Sequence, residues 1–134
     1  MVQSSLSRKL GIKQGHRILV INEPDGYKAT LGALPEDVEI ETSASGECDF
    51  VQAFVRDKAG IDSLASVAMG ALKKGGLLWF SYPKKSSKVK TDITRDTGWD
   101  SLREADMRPV SQVSVDDTWS ALRFRPVADV KPRR

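Results

Sequence analysis

The stretch Asp49–Pro83, DFVQAFVRDKAGIDSLASVAMGALKKGGLLWFSYP, decides the fold. It opens with DFVQAFV (Asp49 to Val55) and closes with LLWFSY (Leu77 to Tyr82), both of which read as central strands of a sheet. Between them Ile61, Leu64, Ala65, Ala68 and Leu72 recur at helical spacing, and Asp62 favours the first turn. Lys73 and Lys74 complement the negative end of that helix, and Gly75-Gly76 are its expected stop. Strand, helix and strand in this order predict a right-handed βαβ unit.

Working outward, RILVIN (Arg17 to Asn22) is an unbroken apolar run before the turn signal EPDG, and predicts a further buried strand. VEIET (Val38 to Thr42) alternates, as a strand nearer the sheet edge does. The chain from Thr42 to Asp49 spans roughly 23 to 25 Å when extended, enough to return along a short parallel strand, while antiparallel pairing is the alternative. SSLSRKLGI places Leu6 and Leu10 one turn apart with Gly11 as a stop, which predicts a short first helix. A second helix is expected from Thr97 to Ala105, burying Trp99 and Leu102. PVSQVSV, the turn pair Asp116-Asp117 and TWSALRF then predict a β-hairpin. The expectation is one Rossmann-like, three-layer α/β domain over residues 1–134, its sheet mostly parallel with a C-terminal antiparallel β-hairpin. Residues 1–12 read as an N-terminal extension and 127–134 as a flexible tail.

Composition narrows the function. The chain has 134 residues, 40% of them hydrophobic, which suits one globular domain. The 21 Lys+Arg against 18 Asp+Glu leave a net charge of only +3, not the footprint of a dedicated nucleic-acid protein. One cysteine excludes an internal disulfide framework and a Cys-rich zinc site, and one histidine argues against a His-based metal centre. No apolar run reaches the ~18 residues of a membrane span, and MVQSSLSRKL lacks a signal-peptide core. A soluble, cytoplasmic protein without a membrane partner is expected.

In an open α/β sheet, ligands bind beyond the carboxyl ends of the strands, near the point where strand order reverses. That rule selects Asn22-Glu23-Pro24-Asp25-Gly26-Tyr27, Thr42-Ser43, Arg56-Asp57, and the segment from Ser81 to Lys88. It sets aside His16 and Cys48, which precede strands and belong at the opposite edge. The densest chemical signal is YPKKSSKVKTDITRD: Lys84, Lys85, Lys88, Lys90 and Arg95 supply positive charge, and Ser86, Ser87 and Thr91 supply hydroxyls suited to an anion's oxygens. The same residues also suit a plain solvated loop. NEPDGY reads as a plain β-turn leading into a short helix, or as a ligand turn in which Glu23 and Asp25 accept hydrogen bonds from ribose hydroxyls, with Gly26 and Tyr27 beside them. Trp79 and Phe80 read as core, Tyr82 as a strand end facing a ligand, Trp99 as a helix anchor, and Trp119 as core, cleft wall or dimer contact.

The segments HRILVINEPDGY, DFVQAFV, ALKKGGLLWFSYPKKSSKVKTDITRDTGW and PVSQVSVDDTWSALRFRPV together resemble a small bacterial family catalogued only as a domain of unknown function. The YPKKSS-to-GW stretch is the most specific part, and the resemblance implies no activity. ALKKGGLLWF and the terminal hairpin more distantly resemble class I S-adenosylmethionine-dependent methyltransferases. That likeness implies a Rossmann-like fold and S-adenosylmethionine as a cofactor. The sequence departs from it in three places: EPDGY stands where a Gly-rich turn is usual, a strand and helix are missing after VEIET, and AFVRDK lacks the Asn/Asp-Pro-Pro-Tyr/Phe motif of amine methylation.

The reading that follows is a non-catalytic binding protein. Its ligand is a small anionic or nucleotide-like molecule, or an acidic protein partner. Lys84, Lys85 and Lys88 supply charge, Ser86 and Ser87 hydrogen bonds, Tyr82 a flank, and Glu23, Asp25, Gly26 and Tyr27 the opposite wall. The alternatives are a methyltransferase and a nucleic-acid-associated protein using the basic loop and the KPRR tail. An exposed hairpin edge allows a homodimer.

Overall fold

The computed structural model describes residues 3–41 and 47–129. Thr42, Ser43 and the KPRR tail, all named above, lie outside the described residues. The strands are β1 (Arg17–Ile21), β2 (Glu39–Glu41), β3 (Cys48–Phe54), β4 (Leu72–Pro83), β5 (Met107–Ser114) and β6 (Trp119–Pro126). They form one sheet in the order β2-β1-β3-β4-β6-β5. β2, β1, β3 and β4 are parallel, and β6 pairs antiparallel with both β4 and β5. Among the described residues β6 is thus the one reversed strand of this Rossmann-like α/β domain. The register Arg17↔Glu39 to Leu19↔Glu41 settles the direction of the second strand as parallel, with β2 at the sheet edge. Among the described residues no helix is long and apolar enough to cross a membrane.

Alternation along the strands sorts the core into two layers. Val51 and Ala53 of β3 and Val55 just after it, with Leu78, Phe80 and Tyr82 of β4, face α3 (Lys58–Ala71) and α4 (Asp100–Glu104). Phe50 and Phe54, with Trp79 of β4 and Trp119 of β6, pack with Leu10, Ile12, Tyr27 and Leu31, contributed by α1 (Ser5–Leu10), the residues after it, and α2 (Tyr27–Leu31). Ser4 caps α1 through the Ser7 amide, and the helix ends at Gly11. The first residues are built into the core: Leu10 and Ile12 are buried, and Trp79 Nε1 donates to the Leu10 carbonyl at 2.9 Å.

Three expected boundaries move. α3 ends at Ala71, so Lys73, Lys74, Gly75 and Gly76 belong to the start of β4 and not to a helix end. Leu72 turns extended (φ −84, ψ 129) because it pairs with Cys48 of β3, and that ladder replaces another helical turn. The cap of α3 is Asp57, whose carboxylate accepts from the Gly60 amide at 2.8 Å. The helix expected from Thr97 to Ala105 shrinks to α4, with Trp99 buried at its start and Leu102 buried within it. Val127–Asp129 form a 3₁₀ turn, anchored by the Val127 amide to the Asp106 carbonyl at 2.7 Å. The hairpin turn is where the sequence put it, with Asp116 Oδ1 accepting from the Thr118 and Trp119 amides, each at 2.8 Å.

One polar chain runs through the α1/α2 layer. The Tyr27 hydroxyl donates to Gln52 Oε1, and Gln52 Nε2 donates to Ser81 Oγ at 2.9 Å, all three residues being buried. Burial raises the Tyr27 pKa well above the usual phenol value. The folded state therefore favours the protonated phenol, and its contribution to stability is complete below about pH 10 and is lost as pH rises beyond that. Gln52→Ala is expected to cost about 2–4 kcal/mol in urea unfolding, since it leaves a cavity and two stranded hydroxyls. Tyr27→Phe is expected to flatten the alkaline loss of stability between about pH 10 and 12.

Candidate functional site

From β1 the chain moves to β2 on one side, while β3 lies on the other, so strand order reverses between β1 and β3. At the carboxyl ends of those two strands lies a cavity of ≈ 580 Å³, within the size range of small-ligand sites. Asn22, Glu23 and Pro24 form one wall, and Arg56 and Asp57 the facing one. Phe54, Val55 and Trp119 contribute buried apolar side chains, and Gly60, Ser63 and Leu64 of α3 close the far side. Asn22 adopts φ 57, which ends β1 abruptly and turns the chain into the Glu23-Pro24 corner. Behind that corner Tyr27 packs edge-on against Phe54, and Phe54 against Trp119, with ring centroids 4.7 and 5.2 Å apart. Arg56 is exposed and has no ion pair among the described residues. The crevice therefore offers an apolar floor, two carboxylates and one guanidinium.

A second cavity, ≈ 410 Å³, lies on the same edge beneath the lysine loop. It is lined by Tyr82 and Pro83 of β4, Lys84, Lys85, Ser86, Ile93, Thr94, Arg95, Gln112 of β5 and Ser120 of β6. No carboxylate is among them. The loop is held at both ends: the Lys84 amide donates to the Thr118 carbonyl at 2.7 Å, and Asp92 Oδ1 accepts from the Lys58 amide at 2.7 Å. The Lys84 ammonium reaches Ser114 Oγ at 2.6 Å. Ser87 donates its hydroxyl to the Lys84 carbonyl at 2.7 Å, so it serves the loop's own turn. The Tyr82 hydroxyl accepts from Gln112 Nε2 at 2.9 Å, and burial raises its pKa, which keeps the phenol proton in place.

The fold thus gathers Tyr82, Lys84, Lys85 and Ser86 into one cavity and sends Glu23 to the other. Tyr27 lies inside, its hydroxyl committed to Gln52. Asp25, Gly26 and Lys88 are exposed on the same edge and line neither cavity, and neither does Ser87. The post-strand rule had marked Arg56 and Asp57, and left Trp119 open between core, cleft wall and dimer contact. The fold makes Trp119 both core and wall. Ser63 and Leu64 were invisible as site residues, because a helix's solvent-side serine carries no signal until a neighbouring loop faces it. His16 and Cys48 lie at the opposite, amino edge.

No protein-family model and no curated protein matches the sequence, so the YPKKSS-to-GW resemblance finds no support there. Solved structures do match. The chain is similar to DhpI in its SAH complex, at 13% identity and TM-score 0.61, over 90% of this chain and 82% of that one. It is similar to a ribosomal protein L11 methylase from Lactobacillus delbrueckii subsp. bulgaricus, at 12% identity and TM-score 0.53, over 84% and 70% of the two chains. It is also similar to the B. subtilis M1A22 tRNA methyltransferase TrmK, at 12% identity and TM-score 0.51, over 93% and 67%. Identities this low speak for the fold alone, the Rossmann-like α/β arrangement that these chains share.

The Asp92–Lys58 bond is the loop's tether to α3. Asp92→Ala is expected to speed hydrogen exchange at the Lys58 amide and proteolysis between Lys84 and Asp96, with the melting temperature lowered by no more than a few degrees.

Proposed function

We propose that this chain is an adenosyl-cofactor protein of the methyltransferase type, with the cofactor in the β1/β3 crevice and an anionic acceptor in the lysine-loop cavity. The observation that carries the reading is the pairing of those two cavities on one sheet edge, where Trp119 lines the first and Ser120 the second. The fold likeness to methyltransferases and to a protein solved with SAH supports it.

The residues present fit such a ligand in size and in donor set. Arg56 is placed for its carboxylate, Glu23 and Asp57 for its hydroxyl and ammonium groups, and Phe54, Val55 and Trp119 for its apolar parts. The departure lies in the turn: Asn22-Glu23-Pro24 put side chains, and a ring without an N–H, where glycines would let backbone approach the ligand. Side chains must carry the hold, so the affinity is modest. When bound, the sulfonium supplies an electrophilic methyl group. The chain's own part is to orient the acceptor: Lys84, Lys85 and Arg95 neutralise its charge, Ser86 and Thr94 offer hydroxyls, and the protonated Tyr82 supplies a fixed dipole.

A second reading rests on the lysine-loop cavity alone, whose lining carries three cations and no carboxylate. It makes the chain a binder of small anions or acidic partners without methyl transfer.

Isothermal titration with S-adenosylhomocysteine and with sulfate separates the two. Wild type is expected to bind S-adenosylhomocysteine, with at least tenfold loss in Arg56→Glu and little change in the double variant Lys84→Glu, Lys85→Glu. Sulfate binding is expected to fall in the double variant. A flat titration at millimolar S-adenosylhomocysteine overturns the cofactor reading, and sulfate binding indifferent to the double variant overturns the anion reading.

A further inference from the structure

The amino edge of the sheet carries a built feature that neither cavity above uses. Cys48 pairs with Leu72, and the next partners are Phe50 and Leu77, so Asp49 alone faces Lys73, Lys74, Gly75 and Gly76. Four residues against one make a large irregular bulge, in which Lys73 and Lys74 are exposed. Both glycines are required by geometry. Gly75 has φ 81, and a Cβ on Gly76 would stand 2.8 Å from Leu72 Cδ1 and 3.0 Å from the Asp49 carbonyl oxygen.

Beneath the bulge lies a cavity of ≈ 510 Å³, walled by Gly11 and Lys13 from the segment after α1, His16, Asp49, the bulge itself and Arg123 of β6. Its charge is one-sided. Lys13, Lys73, Lys74 and Arg123 face a single carboxylate, Asp49. Asp49 is already committed, with Oδ2 accepting from the Arg17 amide at 2.9 Å and Oδ1 lying 3.5 Å from Lys73 Nζ. Lys13, Lys74 and Arg123 have no ion pair among the described residues.

Arg123 gives the cavity its direction. Its Nε is buried beneath the cavity surface and has no hydrogen-bond partner among the described residues, so the rest of the guanidinium is what lines the cavity. His16 Nδ1 accepts from the Lys13 amide at 3.1 Å, so the imidazole proton sits on Nε2, available as a second donor. Desolvation and the neighbouring Arg125 work against the Arg123 charge, a cost that a bound anion would relieve.

We infer that this amino-edge cavity is a second ligand site, which takes the phosphate group of a small phosphorylated molecule. Lys13, Lys74 and Arg123 hold the phosphate oxygens, and His16 adds a hydrogen bond. A single concave pocket on a chain of net charge +3 suits a compact ligand better than a polymer, which needs an extended basic track. The site is independent of the reading of the carboxyl edge.

The test is thermal shift with ribose 5-phosphate, inorganic phosphate and a 20-nucleotide single strand. The proteins are wild type, the double variant Lys13→Glu, Lys74→Glu, and the double variant Lys84→Glu, Lys85→Glu. Ribose 5-phosphate is expected to raise the wild-type melting temperature by several degrees, and still to raise it in the lysine-loop variant. The shift is expected to vanish in the Lys13, Lys74 variant, whose exposed substitutions leave the ligand-free melting temperature nearly unchanged. Arg123→Lys, which keeps the charge but loses the planar guanidinium fork, is expected to weaken the response at least fivefold in half-saturating concentration. No shift in wild type, or one that survives in the Lys13, Lys74 variant, overturns the inference. A shift produced by the oligonucleotide alone, and falling steeply with salt, overturns it in favour of nucleic acid.

Discussion

A glutamine amide in the middle of a central strand is the constraint on which the carboxyl edge of the sheet depends. Gln52 lies fully buried in β3, and neither end of its amide can be left without a partner at tolerable cost. The Tyr27 hydroxyl satisfies one end and Ser81 receives the other, so α2, β3 and β4 are bound to a common point. In a low-dielectric interior such a chain has strict geometry: α2 docks only where its tyrosine reaches the amide. That docking sets the Asn22–Gly26 corner above it, and hence the width of the β1/β3 crevice. The edge-on ring series Tyr27, Phe54 and Trp119 carries the same alignment across to β6.

The two ends of the sheet are built on different principles. At the carboxyl end, loops of mixed charge stand over an apolar floor, and two cavities open between them. At the amino end a bulge replaces a clean helix-to-strand joint, and basic side chains gather around one committed carboxylate. The difference arises from topology. Carboxyl ends of parallel strands open into loops that diverge at the switch point, whereas the amino ends receive chain that has just left a helix and must be redirected.

Much of the fold was legible in the chain. RILVI, DFVQAFV and LLWFSY are too apolar to sit anywhere but between two layers, and the helix-spaced Ile61, Ala65 and Ala68 supply one of those layers. Asp116-Asp117 marked the hairpin turn because a carboxylate two residues before a free amide makes its own turn. The site was legible only as positions after strands. Lys84 and Lys85 could be placed at the edge, but that Ser87 is spent on its own loop, and that Ser86 and Arg95 share a cavity wall, depends on the loop's path.

The sequence by itself determined the strands, their burial, the parallel βαβ unit and the reversed final strand, since periodicity and turn chemistry are local and act before any tertiary contact forms. It could not decide LysLysGlyGly. A basic last turn with a glycine stop and a glycine-permitted bulge are the same four residues, and local propensity does not separate them. The choice fell to Leu72, which gains a ladder partner in Cys48, and that pairing exists only once β3 and β4 lie side by side. The cavities belong to the same category. Each is the space between segments far apart in the chain, and its shape is fixed only when the packed layers hold those segments at their distances.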